Sequence, residues 1–370
     1  MSEGKLKTAV LGLDDRGRLL LEAATQADYF EIAAVADNDA SLAESTAYKY
    51  KCEHYDDYRQ LIMQNQFDCL LVAAGIHSCD EHIKMAMKKK TNILKLAPPA
   101  RNFQEAAEFV RLAEDENIKF AIANPRRFAR SSIALREFLQ QGRIEQIFLI
   151  TAFCTVGNEH IGTWQTDPKL AGGGVLLHNC YQIIDQIVWN LATPQQVYSL
   201  NTNTAGDRQQ RSYLTEDTTV VTMKFTDTFF GNLIASKVFG PELVTAKRAV
   251  AGQEILKVYG KDKILTVSNA RFIISDGLGQ TSEESEYNDD ELIWYTALLK
   301  NFALSILLPD KNKLCSSARE NLNDMAVIEA SYLSARTGMP EEPGRILKMA
   351  QTEPTNIRLS HHNNNKKISI

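Results

Sequence analysis

Short apolar runs alternate with amphipathic stretches of helical period along the first third of the chain. The runs Lys7–Leu11, Ile32–Ala36, Cys69–Ala73, Asn92–Leu94 and Phe120–Ala123 predict strands, and Arg18–Ala27, Asp80–Lys89 and Gln104–Glu116 predict helices between them. Such alternation predicts an α/β domain with a doubly wound parallel sheet, placed at residues 1–124. Beyond residue 145 the pattern changes to β runs at Ile147–Phe153, Thr218–Phe225, Gly231–Val238 and Glu254–Tyr259, separated by turn residues. Consecutive strands of this kind predict a second, α+β domain on a largely antiparallel sheet, residues 125–345. Two late helical stretches, Asp290–Leu307 and Ala318–Thr337, are expected to pack on one of these layers. Residues 346–370 form a polar tail, aperiodic from Gln351 onward.

Composition narrows the function classes. At 370 residues the chain exceeds the usual size of a single core, in agreement with two domains. Its 41 Lys and Arg against 46 Asp and Glu, with one short basic run at Lys88–Lys90, argue against a nucleic-acid partner. No stretch approaches the roughly 18 apolar residues of a membrane helix, and the start has no leader-like core, so a cytoplasmic protein without a membrane partner is expected. The six cysteines lie scattered without a Cys-x-x-Cys pair, which points to buried thiols. His77 and His82 have no third ligand nearby, so no metal site is expected.

The first strand runs into Gly12-Leu13-Asp14-Asp15-Arg16-Gly17 and then into a helix. A dinucleotide fingerprint carries glycines at the first, third and sixth positions, for the tight turn, the approach of the pyrophosphate and helix–strand packing. Gly12 and Gly17 fit, and Asp14 holds the middle position. Asp37 ends the second strand twenty residues after Gly17, where a carboxylate can accept both ribose hydroxyls and disfavours a 2′-phosphate. NAD is therefore expected ahead of NADP. Asp14 opposes the pyrophosphate, and a like-charge contact at roughly 4 to 6 Å costs on the order of 2 to 4 kcal/mol at an effective dielectric near 20. Weak or lost cofactor binding is the consequence, with Arg16 and Arg18 as partial offsets.

With that hexad, Asp37, the joint Lys95-Leu96-Ala97-Pro98-Pro99-Ala100 and the cluster Gly172-Gly173-Gly174-Val175-Leu176-Leu177 in hand, the chain resembles the Gfo/Idh/MocA oxidoreductases, which include glucose–fructose oxidoreductase and inositol dehydrogenase. Asn124-Pro125-Arg126-Arg127-Phe128 and Ser334-Ala335-Arg336-Thr337-Gly338 carry the resemblance further, over roughly residues 6 to 345. It implies an N-terminal Rossmann domain, a C-terminal domain with an open, mostly antiparallel sheet, and a dimer or tetramer assembled through that sheet. The implied reaction is hydride transfer between a nicotinamide and a secondary alcohol of a sugar, cyclitol or related compound. The implied cofactor contacts fall on Gly12, Asp14, Arg16, Gly17, Asp37, Ala74 and Pro98, and the implied substrate pocket on Arg127, Trp164, Gln182 and Asp185.

The family's chemical positions are not kept. The lysine of its Glu-Lys-Pro joint falls on Ala97, its aspartate on His178 and its histidine on Gln182, while Asp185 keeps its type. Its Thr-Pro-Asn is replaced by Ala74-Gly75-Ile76, and the histidine that follows falls on Cys79. Lysine at 97 would steady a developing alkoxide and histidine at 182 would take a proton; alanine and glutamine do neither. Three candidates could fill the gap: Lys95, one pleat back on the same strand face; His178, whose ordinary pKa suits proton transfer near neutrality; and Tyr181 beside it as a relay. The expectation is an NAD(P)-dependent oxidoreductase with an atypical or disabled centre; the alternative is a non-catalytic sugar- or nucleotide-binding sensor on the same scaffold.

Overall fold

The structure is a computed structural model and describes residues 4–156, 163–203, 214–237, 253–268 and 270–352. The first eleven elements are β1 (Leu6–Leu11), α1 (Asp15–Ala27), β2 (Phe30–Ala36), α2 (Ala40–Tyr50), β3 (Glu53–Tyr55), α3 (Tyr58–Gln64), β4 (Cys69–Val72), α4 (Ile76–Lys88), β5 (Asn92–Leu96), α5 (Phe103–Asp115) and β6 (Phe120–Ala123). Their strands form one parallel sheet in the order β3-β2-β1-β4-β5-β6. The strand order reverses between β1 and β4, and in such sheets ligands bind in the crevice beyond the carboxyl ends at this point. β4 is buried along its whole length, as a strand covered by helices on both faces must be.

The second half holds α6 (Arg130–Gln140), β7 (Leu149–Thr155), α7 (Pro168–Ala171), α8 (Val175–His178), α9 (Tyr181–Asn190), β8 (Gln196–Thr202), β9 (Thr218–Lys224), β10 (Phe230–Ser236) and β11 (Gln253–Tyr259). It continues with β12 (Lys263–Ser268), β13 (Arg271–Asp276), β14 (Thr281–Glu286), α10 (Glu291–Leu307), α11 (Ala318–Thr337) and α12 (Pro343–Thr352). Its eight strands run β14-β13-β12-β11-β7-β10-β9-β8; β7 and β10 pair in parallel and the other neighbours antiparallel. The predicted α/β class, a Rossmann-type sheet followed by a mostly antiparallel one, is what the chain adopts.

Alternate burial along β9 shows a sheet with one packed and one open face. On the open face, strand register lines up Leu200, Val220, Ile234, Phe153 and Ile255 in an apolar row. Helix α10 leaves this half and seals the N-terminal sheet: Tyr295, Leu298, Leu299 and Phe302 share one core with Val10, Leu20 and Leu21. Part of the span 125–345 is thus packed as part of the first domain. Helix α12 extends order to residue 352, and the remainder of the expected tail, 353–370, lies outside the described residues. Among the described residues no helix is long and apolar enough to cross a membrane.

Candidate functional site

The β1–α1 turn has the backbone of a dinucleotide loop. Gly12 adopts φ +84°, and a Cβ there would lie 2.4 Å from the Ala74 nitrogen at the end of β4. A Cβ at Gly17 would sit 2.0 Å from the Gly12 oxygen. Ala74, itself buried, donates its N–H to the Leu11 oxygen at 2.8 Å and closes this corner. Asp37 accepts the Leu13 N–H at 2.7 Å on one oxygen and the Asp39 N–H at 2.9 Å on the other. Each carboxylate oxygen keeps a lone pair, so Asp37 can still receive ribose hydroxyls. These residues fit a dinucleotide.

Asp14 is more than a neighbouring charge. It is the N-cap of α1, its Oδ1 accepting the Gly17 N–H at 2.9 Å, so a carboxylate already occupies the helix N-terminus where a pyrophosphate would bind. The two expected offsets are turned elsewhere. Arg18 is ion-paired with Asp15, and Arg16 lies near the Tyr295 hydroxyl on α10 and the Glu254 carboxylate on β11.

At the joint after β5 the Ala97–Pro98 peptide is cis, and Ala97 leaves a short, half-buried side chain. Lys95 is not a surface lysine: it is 2% exposed, and its Nζ donates to the carbonyls of Pro98 at 2.7 Å and Leu96 at 3.3 Å. Pro98 thus contributes a carbonyl that anchors the lysine. Cys79, at the family's next histidine position, is fully buried, and burial pushes its thiol up to about 11.

The glycine cluster exists because three segments cross it. A Cβ at Gly172 would lie 2.2 Å from the Arg101 oxygen, one at Gly173 2.1 Å from the Tyr332 hydroxyl, and one at Gly174 1.9 Å from the Glu216 oxygen. Glu216 then serves the start of α8, accepting the N–H groups of Gly174 at 2.7 Å and Leu176 at 3.0 Å and the Tyr332 hydroxyl at 2.8 Å. Burial raises its pKa against these bonds. Nothing in the local sequence around Glu216 marks it for this position.

His178 ends α8 with Nε2 2.9 Å from the Ala171 oxygen. A carbonyl only accepts, so Nε2 carries the proton and Nδ1 is the acceptor. Burial, helped by the nearby Lys237 and Lys95, lowers its pKa to about 4, which keeps the ring neutral and makes it a poor base near pH 7. Trp164 stands edge-on to His178 at 5.6 Å and stacks on His77 at 4.7 Å, bridging the two halves of the molecule. His82 is turned away onto the Ser78 carbonyl, so the two histidines do not converge.

Three other candidates are buried. Tyr181 is 1% exposed and donates its hydroxyl to Asn321 Oδ1 at 2.9 Å; burial raises its pKa well above normal. Arg127 and Asp185 form a buried pair, with Nη2 to Oδ1 at 2.5 Å and Nε to Oδ1 at 3.0 Å, and Arg127 also reaches the Cys315 oxygen at 2.6 Å. Both side chains, expected at the substrate pocket, are buried and paired with each other. Asp324 completes the group: burial first, then the Asp185 charge, raise its pKa well above the carboxylate range. Both Asp324 carboxyl oxygens are buried without a hydrogen-bond partner. An acid at the head of the apolar run Met325–Ile328 was the available signal for it.

Gln182 is partly buried beside the carboxyl end of β6. Its Nε2 donates to the Ala123 oxygen at 3.0 Å and to Asn124 Oδ1 at 3.1 Å, both at the carboxyl end of β6, while its Oε1 is buried without a partner.

Comparison with known proteins agrees with this architecture. Residues 6–123 match the family described as "Oxidoreductase family, NAD-binding Rossmann fold", and residues 136–342 match "Oxidoreductase family, C-terminal alpha/beta domain". D-glucoside 3-dehydrogenase of Escherichia coli is 27% identical over 44% of this chain and 47% of its own length. D-xylose 1-dehydrogenase (NADP(+)) 2 of Haloferax volcanii is 24% identical over 53% of the chain and 60% of its own length. These matches thus span about half the length of the curated relatives. A levoglucosan dehydrogenase solved with NADH and levoglucosan superposes with a TM-score of 0.79 at 13% identity, over 91% of this chain and 99% of that one.

Proposed function

The chain belongs to the Gfo/Idh/MocA oxidoreductase family, and from that premise we propose that it binds NAD in the Rossmann crevice and a sugar-like polyhydroxy ligand beside it, with the family's proton-handling set disabled. The observation that carries this reading is the pairing of a dinucleotide turn that keeps Gly12 and Gly17 with Ala97 and Gln182 at the chemical positions. A Gly12 cradle that no Cβ could enter and an Asp37 with free lone pairs support the cofactor. Asp37 favours a ribose hydroxyl over a phosphate, and Asp14 weakens the pyrophosphate contact.

When bound, the nicotinamide supplies or accepts the hydride. The residues here then do little with the matching proton. Ala97 has no donor, Gln182 does not titrate, and His178, neutral with a pKa of about 4, is a weak base. Lys95 supports the joint from within and adds a positive charge near His178. Relatives named for D-glucoside, D-xylose and levoglucosan support a carbohydrate-like ligand. The Asp14 cap favours a second reading: a chain that releases its cofactor readily can serve as a sensor of dinucleotide or sugar. The apolar row on the open sheet, with Leu200 59% exposed, supports a homo-oligomer joined at that face.

Thermal denaturation with NAD, NADP and a panel of sugars and cyclitols tests the reading. Stabilisation by NAD above NADP, increased by at least one sugar or cyclitol, is the expected result. No stabilisation by either dinucleotide at millimolar concentration would overturn it.

A further inference from the structure

Helix α11 carries a stripe of residues that no cofactor or proton-handling position uses. Met325, Ile328, Glu329, Tyr332, Ala335 and Arg336 form one wall of a cavity of about 460 Å³. The other walls come from the start of α5, the glycine cluster and the neighbouring ends of β8 and β9. The volume lies within the roughly 300 to 1,000 Å³ of small-molecule sites. None of Gly12, Asp37, Ala97, Trp164 or His178 borders it, so it is separate from the Rossmann crevice. Its floor is apolar, with Met325 and Ile328 each 1% exposed.

The polar groups around it divide into committed and free. Tyr332 donates its hydroxyl to Glu216, and Thr215 donates to the Gln165 carbonyl, so both hold the wall in place. Arg101 is committed to Asp80 and Glu105. Asn102 spends its side-chain oxygen on the cap of α5, and Asn201 spends its own on Ser199 and Thr219, which leaves two amide N–H₂ groups unpaired. Arg336 is exposed and, among the described residues, has no carboxylate partner. Glu329 meets only the Phe103 N–H, at 3.4 Å, and pairs with no cation among the described residues. Free donors therefore outnumber free acceptors. Arg336 stands two helical turns beyond Glu329 on the same face of α11, roughly 10 Å along the axis.

We infer that this cavity is a second ligand site, for a polyhydroxy carboxylate of the sugar-acid type. The carboxylate pairs with Arg336, the hydroxyls lie between the Asn102 and Asn201 amides and Glu329, and the C–H face rests on Met325 and Ile328. A guanidinium fork matches a planar carboxylate through two parallel bonds. A hydroxyl accepts from an amide and donates to a carboxylate, so one ligand serves both kinds of free group. A phosphate ester fits less well, because it brings nearly two charges to a single free cation and no lysine lines the cavity.

Calorimetric titration of the full chain with D-gluconate, D-glucose and glucose 6-phosphate tests the site. Gluconate is expected to bind at least about tenfold more tightly than glucose. Arg336→Gln, a change at an exposed position, should bring gluconate down to the level of glucose and leave glucose unchanged. Ala335→Trp, which fills the cavity, should abolish gluconate binding. Tighter binding of glucose 6-phosphate than of gluconate, gluconate binding unchanged in Arg336→Gln, or no gluconate binding at millimolar concentration would each overturn the inference. None of these outcomes bears on NAD in the Rossmann crevice.

Discussion

Replacing Asp14 separates its two effects, as a charge and as an occupant of the helix N-terminus. Asp14→Asn keeps an oxygen that can accept the Gly17 N–H and removes the charge; Asp14→Gly removes both. A pyrophosphate bound at this terminus would lie roughly 4 to 6 Å from the carboxylate, an opposition of about 3 to 4 kcal/mol at an effective dielectric near 20. Asp14 is exposed, so salt and solvent reduce this to about 1.5 to 3 kcal/mol. Glycine is a tolerable cap, costing only a few tenths of a kcal/mol of helix stability. Calorimetric titration of NAD should therefore show binding tightened by about one to two orders of magnitude in Asp14→Gly, most of it already present in Asp14→Asn. The gain should shrink as salt is raised. Low-micromolar binding by the unmodified protein, with no gain in either variant, would refute the role given to Asp14.

Three further outcomes concern stability. Arg127→Met leaves Asp185 buried without its cation and is expected to cost about 3 to 5 kcal/mol in chemical denaturation. Gly173→Ala places a methyl group against the Tyr332 hydroxyl, 2.1 Å from an ideal Cβ, and should cost about 1 to 3 kcal/mol while disturbing the Glu216 cap. Asp324 has its folded pKa raised above the unfolded one, so its contribution is full below the usual aspartate pKa and is lost as pH rises toward the folded value. Asp324→Asn should flatten that decline when stability is measured from pH 4 to 9.

Much of the architecture was legible because burial on both faces or on one leaves different marks: Cys69-Leu70-Leu71-Val72 is a continuous apolar run, while Thr218–Lys224 alternates. The proposal that Ala97 and Gln182 stand at the family's chemical positions comes from motif spacing, which survives a change of side chain. Direction and partnership could not. Lys95 shares a strand face with Ala97, but only the path of the chain through Pro98 turns its ammonium onto main-chain carbonyls. Arg127 and Asp185 stand 58 residues apart and meet only through the packing of α9 on the turn after β6, so a charged pair that looked like a pocket is core. Asp14 showed its charge in sequence; its capping role depends on the φ and ψ of the turn.

The central claim, a dinucleotide scaffold whose proton-handling set has been replaced, is tested most directly by following NADH formation over a sugar and cyclitol panel at saturating NAD. The unmodified protein is compared with the triple variant Ala97→Lys/His178→Asp/Gln182→His. General acid–base groups are typically worth about 10²- to 10⁴-fold, so turnover should be barely measurable in the unmodified chain and rise by at least about a hundredfold in the triple variant. Robust turnover by the unmodified protein, unchanged when Lys95 and His178 are each replaced, would contradict the account.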